Sequence, residues 1–489
     1  MKKVLAMVLL VALVATAAVA IVACDYEENI VIEFYSTMGQ KLQAVIETYI
    51  KEFNKIYPDI TIKHVVQTSK YPQLYTNINT ELTSGKGPSV AYCYPDHVAA
   101  YLKKNAVVSL DSYINSTEMV EEGRFGNTSA QPIGLGDVKN DFVETFYNEN
   151  YQAFGEDSPM YTLPFAKSSE VIYYDKDFFT ANNIPLPTHW WCDETCDADC
   201  NTSMEKVCQR IRELDSNSIP LGYDSEANLF ITLCEQFQTL PENAGKTLYT
   251  SVDGQHYRFD NDVTKGFVTK LNDWYAKKYF TTSTLYGNFT SGLFTSTEAT
   301  RCYMCIGSTG GASYQSPKSD RFTVGIAKIP YIKGGEMRVI SQGPSVVMLK
   351  NKNNATEEHQ LASWLWIKFL TTNLQLQAQF SMVSGYTPVL KTVEDDPVYS
   401  EYLNSTETGT NNEERILALA TKTCLSQQDA YYTSPAFNGS SEARVQIETL
   451  VAACLAVKEE NGKTIAQQLN EKFAQAVNIC ETYAPSINK

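Results

Sequence analysis

Along this chain, short runs of β-branched and aromatic residues alternate with longer segments of helical period, and this alternation restricts the possible folds more than any other feature. Ile30-Val31-Ile32-Glu33-Phe34-Tyr35 predicts a strand. Leu42, Val45, Ile46, Tyr49, Ile50, Phe53 and Ile56 then recur at three- and four-residue steps, one face of a helix that Pro58 closes. Ile60, Ile62, His64 and Val66 alternate as a second strand. A helix follows from about Tyr71 to Leu82, then a turn at Gly85-Lys86-Gly87-Pro88, a strand from Val90 to Tyr94, and a helix from about His97 to Lys104. Strand and helix in strict turn predict an α/β fold, a mainly parallel sheet covered by helices, with ligands beyond the carboxyl ends of the strands. Tyr35-Ser36-Thr37, Tyr71 and Tyr94-Pro95-Asp96 all fall at strand–helix transitions and so point to one edge.

At 489 residues the chain is long enough for two or three domains, and its 43% hydrophobic and 20% charged residues are ordinary for a globular protein. Lys2 and Lys3 precede an apolar run from Val4 to Ala23, which predicts a secretory signal over residues 1–23. Ile21-Val22-Ala23-Cys24 looks like a lipobox, in which Cys24 is lipidated and becomes the new N-terminus. The alternative is a membrane-spanning anchor, since about 20 apolar residues cross a bilayer. Both readings put a soluble body outside the cytoplasm, tethered to a membrane at the cell surface or in a periplasm. The net charge of −16 repels phosphate backbones and argues against nucleic-acid binding. Thirty tyrosines supply rings with polar tips, suited to stacking on sugars, though most will serve in packing.

Of the 12 cysteines, Cys24 is assigned to lipid, which leaves an odd number. Cys192, Cys196, Cys200 and Cys208 sit among Asp193, Glu194, Asp197 and Asp199, with His189 the one histidine nearby. This spacing matches no familiar zinc pattern, and an exported chain favours disulfides bracing a surface insertion; metal binding is the alternative. Cys302-x-x-Cys305 lies in an apolar run without thioredoxin-like surroundings, which predicts buried thiols or a bond rather than redox chemistry.

Residues 341 to 391 read most cleanly. Gly343-Pro344 is a turn, and Val346 to Leu349 is an apolar run of strand length. Leu361, Trp364, Leu365, Lys368, Phe369 and Thr372 lie on one helical face, a second helix runs from Leu374 to Val383, and Gly385-Tyr386-Thr387-Pro388 holds an aromatic on a pinned turn. This order resembles the C-terminal part of the extracellular solute-binding proteins of bacterial ABC importers, in the family of the maltose- and glycerol-3-phosphate-binding proteins.

The resemblance extends over almost the whole mature chain. It implies a two-lobed periplasmic-binding-protein fold, each lobe a mainly parallel sheet flanked by helices. The stretch Tyr161 to Asp175 resembles the first crossing between lobes, Gly307-Ser308-Thr309-Gly310-Gly311-Ala312-Ser313 the second, and Ser341-Gln342-Gly343 the third. That gives residues 24–166 plus 307–342 as lobe 1 and residues 167–306 plus 343–489 as lobe 2. The implied function is capture of a carbohydrate, either a neutral sugar or a glycerol-3-phosphate-like solute, by hinge closure, and delivery to membrane permease subunits without any cofactor. Carried over position by position, the ligand-binding residues are Tyr71, Asp96, Ser169, Ser308, Gly343, Tyr386 and Arg444. In the glycerol-3-phosphate branch the serines, tyrosine and arginine meet phosphate and the acid meets glycerol hydroxyls. Where that branch has two tryptophans over the glycerol, this chain has Ala227 and Phe230, and after Pro185-Leu186-Pro187 it departs again into the cysteine-rich insertion.

The glycine-rich loop after residue 306 has the backbone donors to cradle a phosphate but lacks the Lys-Ser/Thr ending of a nucleotide loop. The Gly-Lys-Thr triplets at Gly245 and Gly462 have Leu240 and Val457 where the earlier glycine belongs, which rejects ATP binding. The five histidines, His64, His97, His189, His256 and His359, form no His-Glu-x-x-His pattern, and no Gly-x-Ser-x-Gly elbow is present. The expectation is therefore a binding protein and not an enzyme, with a secreted carbohydrate-active enzyme as the rival, because 56 acidic residues always offer a pair.

Overall fold

The computed structural model describes residues 29–67, 71–192, 196–197, 200–352, 354–405, 412–460 and 462–486. The signal run, Cys24, Asp193, Glu194 and Asp199 lie outside the described residues. Two five-stranded sheets carry the fold. In the first the order is Ile60–Val66, Ile30–Ser36, Val90–Cys93, Ser345–Met348, Thr162–Pro164. In the second it is Val324–Ala327, Glu170–Asp175, Met304–Ser308, Leu221–Tyr223, Phe280–Thr282.

Each sheet contains a single strand running against the other four: Ser345–Met348 in the first and Glu170–Asp175 in the second. The reason is the route of the chain. Thr162–Pro164 ends at the carboxyl edge of the first sheet, and the chain then enters the second sheet from that sheet's own carboxyl edge, so Glu170–Asp175 must run backwards. The return through residues 341–344 reverses Ser345–Met348 in the same way. Both carboxyl edges therefore face the gap that the chain crosses, which is where ligands of such sheets sit.

The first core gathers Phe34, Phe53, Tyr92 and Leu163 with Val346, Trp364, Trp366 and Phe380. The helices Glu357–Thr372 and Leu374–Met382 that follow the reversed strand belong to it. Thr356 caps the first through the His359 amide, and the Trp364 indole donates to the Ile133 carbonyl at 2.8 Å. The second core gathers Trp190, Tyr223, Phe230, Phe267 and Trp274 with Val339, Ile447 and Phe473. The expected lobe boundaries need correction here. Residues 307–342 pack in the second lobe, and the strand and helices of 345–404 in the first, because Val346 and Val347 find their partners in Tyr92, Ala91, Leu163 and Thr162. The glycine-rich loop is not a crossing; residues 165–169 and 341–344 are crossings among the described residues, and the chain is back in the second lobe in the helix Asn412–Leu425, which packs on the strand Val324–Ala327.

No disulfide joins any of the described cysteines, contrary to the braced insertion expected from the sequence. Cys208 is buried in the second core on the helix Met204–Leu214, away from the other three, and Cys302 and Cys305 are buried thiols. Among the described residues no helix is long and apolar enough to cross a membrane.

Candidate functional site

The crossing segments are tied to one another before they reach either sheet. Ser168 and Gln342 exchange backbone hydrogen bonds at 2.9 and 2.8 Å, and Lys167 and Thr387 do the same at 3.1 and 2.6 Å. Beneath them, the buried Lys167 ammonium meets Glu149 at 2.5 Å, and it also donates to the Ser345 hydroxyl at 3.1 Å and the Gly343 carbonyl at 3.3 Å.

Two cavities flank this junction, each walled by both lobes. One, of about 220 Å³, takes Tyr71, Tyr94, Asp96, His97 and Glu149 from the first lobe, Gln342 from the crossing, and Tyr249, Ser440, Ser441, Arg444 and Glu448 from the second. The other, of about 730 Å³, lies between Met38, Gly39 and Tyr386 on one side and Phe289, Gly310 and Tyr314 on the other, with Tyr71 shared. Local sequence explains the placement. Strand Val90–Cys93 ends at the gap, Pro95 starts the next helix, and Asp96 falls in its first turn, where a carboxylate suits the helix dipole. Opposite, Gly439 in a left-handed conformation turns the chain into helix Ser440–Leu455, which brings Ser440, Ser441 and, one turn on, Arg444 to the same space.

Four buried hydroxyls lining the smaller cavity, those of Thr250, Ser341, Thr433 and Ser434, have no hydrogen-bond partner among the described residues. Leaving one such group unsatisfied costs about 1–3 kcal/mol, so four at one cavity are groups that polar atoms of a solute could satisfy. The Tyr71 and Tyr94 rings pack against each other tilted by 49°, with their centroids 4.8 Å apart. Burial lowers the basicity of His97, with Asp96 opposing and Arg444 reinforcing, so its ring is neutral near pH 7. Arg444 donates to the Asn228 amide oxygen; the Asn228 amide nitrogen donates in turn to Glu170 at 2.6 Å, and the Tyr223 hydroxyl completes that buried carboxylate at 2.6 Å. Burial raises Glu170 to about 7 against the pull of those bonds and of Arg444.

Of the residues expected to bind ligand, Tyr71, Asp96 and Arg444 meet at the smaller cavity, and Tyr386 lines the larger. Ser169, Ser308 and Gly343 line neither. The Ser169 hydroxyl donates to the Ile340 carbonyl at 2.8 Å and that of Ser308 to Ser168 at 3.2 Å, so both serve the crossings. The glycine-rich loop is no phosphate cradle: it turns into the 3₁₀ helix Thr309–Gln315, where the Thr309 amide is bonded to the Ser169 carbonyl and the Gly310 amide to the Ser308 hydroxyl. Gly310 lies under the Tyr386 ring, and Gly307 against the Asp224 carboxylate. Ala227 and Phe230 are core residues. Sequence reasoning missed Glu149, Tyr249, Thr433 and Ser434. Tyr249, Thr433 and Ser434 stand on irregular segments and Glu149 opens a short helix in a polar stretch, so no periodicity betrays any of them.

The family model for bacterial extracellular solute-binding proteins matches residues 48–406. No curated protein matches. Among solved structures, the cyclic α-maltosyl-1,6-maltose binding protein from Arthrobacter globiformis is 15% identical with a TM-score of 0.65, covering 92% of this chain and 99% of its own. UgpB from Mycobacterium tuberculosis in complex with glycerophosphocholine is 17% identical at 0.65, covering 92% and 98%. Maltose-bound MalE3 from T. maritima is 16% identical at 0.65, covering 92% and 99%. These likenesses fix the fold as the two-lobed architecture of the periplasmic binding proteins, and the match over residues 48–406 makes the chain a member of the bacterial extracellular solute-binding protein family.

Proposed function

We propose that this protein is the solute-binding component of an ABC importer, that it closes its two lobes on a neutral sugar, and that it hands the sugar to the permease subunits without chemical change. The family works outside the cytoplasm. The observation that carries the ligand class is the set of four unpartnered hydroxyls, Thr250, Ser341, Thr433 and Ser434, in a cavity shared by both lobes. Hydroxyls of a sugar both donate and accept, Asp96 accepts two more bonds, and the Tyr94 and Tyr249 rings offer faces to the C–H side of a pyranose. The charge of the wall points the same way. Asp96, Glu149 and Glu448 stand against Arg444, and even with Glu149 neutralised by Lys167 the wall stays acidic, which disfavours a phosphate. Tyr71, Asp96 and Arg444 contact the sugar in this reading, and Tyr386 the end that extends into the larger cavity.

A second reading rests on Arg444 beside the Ser440–Ser441 helix entry, an arrangement that also suits a polyol phosphate. Thermal-shift screening of neutral oligosaccharides, glycerol phosphate and its diesters, followed by calorimetry on Tyr94→Ala and Arg444→Ala, separates the two. The expected result is stabilisation by a neutral sugar recovered intact after incubation, with Tyr94→Ala weakening binding more than Arg444→Ala. Selective stabilisation by a phosphate, with Arg444→Ala costing at least about 2 kcal/mol, would replace the sugar by the phosphate. Hydrolysis of the stabilising sugar would make the chain an enzyme.

The tether in this proposal is a lipid on Cys24, motivated by the Ile21-Val22-Ala23-Cys24 lipobox form. Cys24→Ala is expected to move the protein from the membrane fraction to the soluble one. If it still sediments with membranes, the apolar run is an anchor helix.

A further inference from the structure

The cysteine-rich insertion brings three thiols and one imidazole to a single point. Nε2 of His189 lies 3.5 Å from Sγ of Cys200, 3.6 Å from Sγ of Cys196 and 3.8 Å from Sγ of Cys192. All four ligand atoms fall within 4.8 Å of one another. These are the edges of a tetrahedron around one ion. Zinc bonds of about 2.3 Å to sulfur and about 2.0–2.1 Å to nitrogen, at tetrahedral angles, set sulfur about 3.5–3.6 Å from nitrogen and one sulfur about 3.8 Å from another. A disulfide needs its sulfurs at about 2.05 Å, and none is formed here. An iron–sulfur cluster would spread its ligands over several irons, further apart than the edges of a one-ion tetrahedron.

The histidine is held for this role. Its backbone bridges to Ser203 on one side and Tyr331 on the other, and its carbonyl accepts from the Met204 amide at 2.7 Å. The residue is 6% exposed, and its second nitrogen, Nδ1, lies 3.0 Å from the Thr188 hydroxyl, which leaves Nε2 as the electron-pair donor facing the three sulfurs. Next to it, Trp190 is buried and its indole donates to the Gln236 amide oxygen at 3.0 Å, so the anchor of the site is fixed into the second core.

We propose that His189, Cys192, Cys196 and Cys200 bind one structural zinc ion that closes the insertion between Pro187 and helix Met204–Leu214. Four protein ligands leave no open position for substrate, and none of the four lines either cleft cavity, so the ion braces the second lobe and takes no part in solute capture. It also removes the odd-thiol problem in an oxidising compartment: three thiolates bound to one ion cannot pair.

Elemental analysis of the full chain, purified and desalted without chelator, tests the site. About one zinc per chain is expected, falling at least about fivefold in Cys196→Ser. Because a variant at this position can fail to fold, the wild-type chain is also exchanged with cobalt, where the visible bands of tetrahedral cobalt and thiolate-to-cobalt charge transfer are expected. Iron in place of zinc, a bond between any two of the three cysteines in peptide mass mapping without reductant, or no uptake of zinc or cobalt by the reduced chain would each overturn the proposal.

Discussion

Lys167→Met is expected to lower the stability of the protein by about 3–5 kcal/mol, read as a shift of the urea midpoint at unchanged slope. The ammonium is fully buried, and its loss leaves the Glu149 carboxylate, 3% exposed, with the Ser345 hydroxyl at 2.8 Å but no positive partner. A charge stranded in this way costs far more than the pair itself is worth. The double substitution Lys167→Met/Glu149→Leu is therefore expected to be more stable than Lys167→Met alone, since it removes both charges and fills the space with carbon. If the single substitution shifts stability by less than about 1 kcal/mol, Glu149 is not carried as an anion and the junction is held by its backbone bonds. The pair lies under the first crossing and also ties down the second through the Gly343 carbonyl and Ser345. Its loss would loosen the segments that fix the relation of the two sheets, and weaker solute binding should accompany the lower midpoint.

The strand–helix alternation was readable because burial repeats at the period of the backbone. The strand Ile60–Val66 and the helix Glu357–Thr372 fall where Ile60 to Val66 and Leu361 to Thr372 place them. What periodicity does not encode is which sheet a strand joins. Val346 and Val347 read as a buried strand, but only pairing with Leu163 and with Tyr92 and Ala91 assigns them to the first lobe, and the pairing with Tyr92 and Ala91 spans more than half the chain. The site was partly legible for the same reason. Tyr71 and Asp96 follow strands and so sit at the edge that strands point to, whereas Glu149 belongs to a short helix in a polar stretch and reveals its importance only by being buried with Lys167. Ser169, Ser308 and Gly343, carried over from the resemblance, lie outside both cavities, because each gives a polar group to a crossing segment: Ser169 to the Ile340 carbonyl, Ser308 to the Ser168 hydroxyl, and Gly343, through its carbonyl, to Lys167. The cluster proposed to bind zinc was legible in part: the sequence sets His189 near Cys192, Cys196 and Cys200 at a spacing that matches no familiar zinc pattern, and only folding brings its Nε2 to the three sulfurs.

Gly343 is the position where the crossing leaves least room, and Gly343→Ala should show it. Its φ of +92° lies in the region that side chains avoid, which alone costs about 1–2 kcal/mol. A Cβ there would also collide with the Ala166 carbonyl oxygen and stand 2.8 Å from the Lys167 Cα, both backbone atoms of the other crossing segment that no rotamer change can move. The two contributions can be separated by a matched control, because Gly123 has a φ of +87° with nothing within 4 Å of its would-be Cβ. Gly123→Ala is expected to cost only the conformational part, and Gly343→Ala at least about 2 kcal/mol more, measured by chemical unfolding of both variants. Equal costs would mean that the segments part without penalty and that the close approach does not hold the hinge. With the larger cost, the neighbouring Ser341 and Gln342, which wall the smaller cavity, must shift with the displaced backbone, so affinity for the solute should fall in Gly343→Ala and stay unchanged in Gly123→Ala. A glycine that touches no solute would then set how well the cleft closes, through the distance it allows between two strands of backbone.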